Sequence, residues 1–223
     1  MAEYRRPAPP SREFVDDTGK PIRYGERWGL DSPPSDSYSV TSNLERFAPL
    51  HDVAVALIGW LRAEYDVDVD EGPELATDLL RPPAEVERAV RLRPLESSAS
   101  PLTFVFTPFP GVLLHAGALY DAFFPICGCD ACDETWDRCA DDLEFTVFAV
   151  VNGGLSEGWA RRDAESWFRL RWEGRTSSGS SQASDLPPDR IAPARAAIGE
   201  RREWAAWSQQ TDGSSAPPES SAG

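Results

Sequence analysis

Positive charge, long apolar runs and nucleotide-binding signatures are all scarce in this chain. Lys20 is the only lysine, and 22 basic residues face 37 acidic ones among 223, a formal charge of −15. Non-specific nucleic-acid binding needs clustered Lys and Arg to displace counterions, so that class is excluded, and anionic membrane surfaces are disfavoured for the same reason. No apolar run approaches the roughly 20 residues that a membrane helix needs. The chain begins polar and Pro-rich instead of with an apolar signal core, so a cytoplasmic protein without membrane or nucleic-acid partners is expected. No glycine-rich phosphate loop is present, and no internal repeat is found. The preference for arginine over lysine reads as base composition and carries no mechanism.

Cysteine is scarce as well, with four in the chain, but three of them fall within six residues: Cys127, Cys129 and Cys132. Cys139 follows seven residues later. Thiols placed for packing alone would be scattered among the apolar segments. In a reducing compartment a cluster of this kind holds a metal or does thiol chemistry more readily than it forms structural disulfides.

Hydropathy patterning gives an α+β fold. A largely disordered segment over residues 1–36 should precede a single domain over residues 37–208, with a disordered tail over 209–223. Apolar residues Leu44, Phe47, Leu50, Ala54, Leu57, Ile58 and Leu61 recur at three- and four-residue spacing. They predict a helix with Pro49 in its first turn. A short helical piece is expected around Glu74 to Leu80. Val90 and Leu92 alternate with Arg91 and Arg93 as in a strand with one wet face.

Leu102–Thr107 and Val112–Tyr120, separated by Pro108-Phe109-Pro110-Gly111, predict a hairpin. From about Asp133 the stripe Trp136, Ala140, Leu143, Val147 and Val150 predicts a helix stopped by Asn152-Gly153-Gly154, with Asp130 and Asp133 as caps. Glu134, Asp137, Asp141 and Glu144 read as its solvated side. Trp167–Trp172 alternates like a strand, residues 174–188 read as a flexible loop, and Pro193 opens a last helix containing Ala194, Ile198, Trp204 and Trp207. The expected architecture is a small, mostly antiparallel sheet on two or three helices, with a Cys-rich turn joining sheet to helix.

The run Phe124-Pro125-Ile126-Cys127-Gly128-Cys129-Asp130-Ala131-Cys132-Asp133-Glu134, together with Glu45-Arg46-Phe47-Ala48-Pro49-Leu50-His51, resembles a family of uncharacterised actinobacterial proteins known as a domain of unknown function. The resemblance spans roughly Tyr38 to Trp172, and the CGCDACDE string is its specific part. It implies a host lineage and supplies no activity, catalytic residue or cofactor.

Three chemistries compete for the cluster. Zinc could take thiolates of Cys127, Cys129 and Cys132 at about 2.3 Å from a loop that bends at Gly128. The fourth ligand is Cys139 or, alternatively, His115, Asp130 or a water. On one helix Cys132 and Cys139 would stand about 10.5 Å apart along the axis, whereas two sulfurs on one zinc lie about 3.8 Å apart. Cys139 therefore joins only if the helix starts after Cys132 and the chain folds back. An iron–sulfur cluster would need the same four ligands.

Thiol redox chemistry at Cys129 and Cys132 is the enzymatic alternative, weakened by the neighbouring Asp130 and Asp133, whose charge raises a thiol pKa. Two further patterns fail at the positions that define them. Asp66-Val67-Asp68-Val69-Asp70 has Glu71 and Thr77 where a calcium loop needs Gly and Glu. His115 has Gly117 where a zinc deaminase needs its Glu. The residues thus favour a non-catalytic domain, stabilised by one zinc ion and acting through contacts with a protein partner.

Overall fold

A computed structural model of the chain describes residues 3–160 and 164–210. Its elements in order are β1 (Phe14–Val15), β2 (Pro21–Ile22), α1 (Pro49–Glu64), β3 (Val67–Glu71), β4 (Arg88–Pro94), β5 (Leu102–Phe106), β6 (Val112–Ala116) and β7 (Tyr120–Phe124). There follow α2 (Trp136–Val151), β8 (Ser156–Ala160), β9 (Glu165–Trp172), β10 (Arg175–Gln182), α3 (Pro188–Ile198) and β11 (Arg201–Glu203). The fold is α+β. β3 to β7 form an antiparallel sheet in chain order, and a second antiparallel sheet has the order β10-β9-β8-β11. Among the described residues no helix is long and apolar enough to cross a membrane.

Packing follows from the alternation of side chains along a strand. All five residues of β5 are buried because both faces of that sheet are covered. Leu102, Phe104 and Phe106 share the main core with Leu50, Leu57 and Leu61 of α1 and Leu143 and Val147 of α2. On the other face Val105 meets Leu75, Ala76 and Leu79, from the short 3-10 helix Pro73–Asp78 and its exit. Pro49 is the first residue of α1, where its missing N–H costs no hydrogen bond. α2 packs against both β7 and β9 and so joins the two sheets. α3 sits on the second sheet, with Ala194 and Ile198 against Trp159 and Leu119.

The sheets are also joined by one buried carboxylate. Glu157 of β8, fully enclosed, accepts the N–H groups of Ala118 and Leu119 in the β6–β7 turn at 3.1 and 2.8 Å. It also accepts Trp204 Nε1 at 2.8 Å. Burial pushes its pKa up, and these three donors oppose the shift.

Four expectations are corrected. The strand predicted over Val112–Tyr120 breaks at Gly117, whose φ of 65° is left-handed, so β6 turns there into β7. The flexible loop expected over residues 174–188 contains β10, paired with β9 over eight residues from Arg175 to Gln182. Its serines satisfy the backbone ladder without an apolar signature. α3 starts at Pro188, not Pro193, and Trp204 and Trp207 lie beyond its end.

The segment expected to be disordered up to residue 36 is tied down. Tyr4 packs on Trp60 and Phe148 and donates to Glu144 at 2.7 Å, and Arg6 pairs with Glu144 and Asp141 at 2.5 Å. The tail expected from residue 209 falls, from residue 211 on, outside the described residues.

Replacing Glu157 by Gln puts an amide N–H₂ against one of three N–H donors. Glu157→Gln is expected to lower the unfolding free energy by about 1–3 kcal/mol, the cost of one buried unpaired donor, as read by urea denaturation.

Candidate metal centre

The Cys-rich turn lies between β7 and α2, and several of its backbone groups have defined partners. After the cis Phe124–Pro125 bond, the N–H groups of Ile126, Cys127 and Gly128 all point at the Glu134 carboxylate, at 2.9, 3.0 and 2.7 Å. Gly128 holds a φ of 75°, and a Cβ there would stand 2.7 Å from Phe109 Cζ, so glycine is required on two counts. The Gly128 carbonyl accepts Arg46 Nη2 at 2.8 Å. Arg46 is buried, lies 4.3 Å from the ring centroids of both Tyr24 and Phe47, and also donates to the Ser42 carbonyl.

The second half of the turn is held by the segment that precedes α1. Asp130 N–H donates to the Val40 carbonyl at 2.7 Å and Ala131 N–H to Ser37 at 3.2 Å. The Asp130 side chain, 3% exposed, accepts Ser42 N–H at 3.0 Å and Ser42 Oγ at 2.7 Å. Its charge faces Arg27 at 3.2 Å and Arg46 at 3.8 Å. Trp28 Nε1 donates to the Asp130 carbonyl, and Arg27 N–H to Asp133 Oδ2. Burial acts to raise the Asp130 pKa, but the Ser42 and Arg27 contacts outweigh it and hold the carboxyl below its ordinary value. Asp130 and Asp133, expected from the sequence to cap α2, do not. Thr135 occupies the cap position, and the carboxylates face the N-terminal segment instead.

These constraints bring Cys127, Cys129 and Cys132 together, with all three Sγ atoms within 4.8 Å of one another. Cys129 and Cys132 sulfurs are 3.4 Å apart. Cys127 and Cys132 are exposed and Cys129 is buried. Hydrogen bonding from the Cys127 thiol, helped by Cys132, pulls the Cys129 pKa down to about 7. The same contact with Cys129 pushes Cys132 up to about 12. Three sulfurs in this arrangement could hold a metal ion.

None of the three side chains predicted as fourth ligand joins them, and no other cysteine, histidine or carboxylate among the described residues belongs to the group. Cys139 is buried on α2 with Sγ 4.0 Å from Glu134 Oε1, and burial, reinforced by Glu134, pushes its pKa up to about 12. His115 stands on β6, bonded to Asp121 at 2.6 Å. Asp130 is committed to Ser42 and the arginines.

One feature escapes a reading of the residues alone, and one pattern that the residues offer is ruled out by the fold. Glu134, assigned to a solvated helix face, is the carboxylate that shapes the loop. Its signal was the run of adjacent N–H groups that a turn around Gly128 leaves without partners. Gly154-Leu155-Ser156-Glu157-Gly158 has nucleophile-elbow spacing. Ser156, however, is a buried residue of antiparallel β8, with no strand-to-helix turn to expose its hydroxyl.

Beside the sulfurs runs a cleft of about 430 Å³ whose wall includes Phe109, Val112, Leu113, Phe123, Ile126 and Cys127. Ile126 is 79% exposed at its rim.

Residues 10–211 match the model of a family described as "Family of unknown function (DUF6226)". No curated protein and no solved structure matches the chain.

Asp130→Asn removes the charge that Arg27 and Arg46 face and places an amide N–H₂ near the Ser42 donors. It is expected to destabilise the fold by about 1–3 kcal/mol at pH 7. Because the folded pKa of Asp130 is depressed, its contribution is present above the unfolded value of about 3.9 and lost as pH falls through the folded one. Urea titrations of wild type and variant should therefore differ at pH 7 and converge towards pH 3.

Proposed function

The chain belongs to DUF6226, a family of unknown function, and within it we propose a non-catalytic, cytoplasmic protein that holds one zinc ion on Cys127, Cys129 and Cys132 and acts through protein contacts. The observation that carries this reading is the approach of three sulfurs within 4.8 Å. About 3.8 Å separates two sulfurs bound to one tetrahedral zinc, so small rotations of the side chains suffice. Zinc accepts thiolates readily and tolerates a fourth ligand from outside, either water or a donor from a partner. The four cysteines are free, which suits a reducing compartment.

Protein contact is supported by the apolar cleft. Cys127 belongs to both the sulfur group and the cleft wall, so a side chain seated beside Ile126 would lie next to the metal. An ion that orders the loop would thereby shape the rim that a partner meets. We read the CGCDACDE string as the family's distinguishing stretch in actinobacterial members, since it contains all three ligands and Glu134.

Zinc analysis of the full chain, purified without chelator and dialysed, tests the proposal. One zinc per chain is expected, lost in Cys127→Ser, Cys129→Ser and Cys132→Ser and kept in Cys139→Ser and His115→Ala. Glu134→Ala should weaken zinc about 10–100-fold in chelator competition, because it releases the backbone that orients the ligands. A wild-type chain that retains no zinc, or a Cys139→Ser variant as depleted as the other three, would overturn the assignment.

A further inference from the structure

Taking the sulfur group as the metal site proposed above, we infer that Cys129 and Cys132 are also a reversible disulfide pair, closed by peroxide at the expense of the metal. Their sulfurs lie 3.4 Å apart, against about 2.05 Å in the bond. Each side chain needs only a small rotation about its Cα–Cβ bond to close that gap. The two cysteines flank Asp130 and Ala131, whose N–H groups are bound to Val40 and Ser37. The backbone of the pair is therefore held at this spacing by the N-terminal segment. Cys132 is exposed, so an oxidant reaches the pair from solvent, while Cys129 lies buried behind it. Cys139, on α2, stands outside the group.

The chemistry balances with hydrogen peroxide as the oxidant. One thiol of the pair attacks a peroxide oxygen, the O–O bond breaks, and a sulfenic acid and one water result. The second thiol then displaces a second water and the S–S bond forms. Two thiol sulfurs are oxidised by two electrons in total, and both peroxide oxygens are reduced to water.

Disulfide and metal exclude each other at this loop. Thiolates, not disulfide sulfurs, bind metal, and oxidation would leave Cys127 as the last of the three ligands. The loop therefore has two alternative closures, one by an ion joining three sulfurs and one by a bond joining two of them. Oxidant selects the second and a cellular dithiol restores the first.

The full chain, zinc-loaded in one sample and chelator-stripped in another, is treated with equimolar hydrogen peroxide. Free thiols are then blocked and the chain is cut before Asp130. Expected in both samples are a fall from four free thiols to two and a bond joining the fragment that ends at Cys129 to the one that holds Cys132. The bond should persist in Cys127→Ser, which excludes that residue as the partner, and reverse with dithiothreitol. Loaded protein should release one zinc per disulfide, read with a chromophoric chelator. Sulfinic or sulfonic acids without a crosslink, or a crosslink lost in Cys127→Ser, would overturn the pair. Zinc retained on the oxidised protein would overturn the exclusion. The stripped sample reports on the disulfide even if wild type holds no zinc, so failure of the metal reading is distinguishable.

Discussion

Three consecutive amide groups converge on one carboxylate, and the arrangement of the sulfurs depends on that contact. A turn around a left-handed glycine leaves successive N–H groups pointing inward, and such concavities bind anions. Glu134 supplies the anion from within the chain, eight residues on from Ile126, so the loop closes on itself before any ligand arrives. Its oxygens are thereby occupied, which removes a carboxylate from the set of metal donors and leaves the chemistry to sulfur alone. Arg46 below Gly128 contributes the opposite charge from a buried position. Its guanidinium lies 4.3 Å from the ring centroids of Tyr24 and Phe47, as suits a weakly hydrated, planar cation that stacks well.

The surrounding fold explains why that loop can be rigid while two of its thiols remain open to solvent. β7 delivers the chain to Pro125 from a sheet covered on both faces, and α2 removes it into the main core with Leu143 and Val147 enclosed. The loop thus runs between two well-packed anchors. Glu157 and α2 bind the second sheet to the first, so motion of one layer against the other would break a buried polar network as well as apolar contacts. The cleft beside Ile126 borders the sulfur group, and the two features share Cys127.

Much of this was legible in the residues. The three- and four-residue spacing of Leu50, Leu57 and Leu61 gives α1, and the apolar runs on either side of Pro108 give β5 and β6. In each case burial imposes a period on the side chains. The convergence of three cysteines followed from their spacing around Gly128. What was not legible rests on long-range contacts that leave no local pattern. Asp130 reads as a helix cap until Ser42 and Arg27 are seen beside it. Cys139 reads as a ligand until α2 is seen to carry it away from the turn. β10 pairs through its backbone, and serine side chains record nothing of that ladder. The early segment reads as mobile because Tyr4, Arg6 and Arg27 stand among prolines and charges, while Trp60, Glu144 and Asp130, which hold them, lie more than fifty residues further on.

The partnership between Trp28, Ser42 and Asp130 has an implication for synthesis. A ribosome extends the chain in order, so Trp28 and Ser42 must wait for 102 and 88 further residues before Asp130 emerges. Contacts this distant in sequence form late, because the loop between them must be closed first. The thiol loop can therefore take shape only once residues 126–134 have emerged to meet the earlier segment, and metal offered before then would meet sulfurs that are not yet assembled.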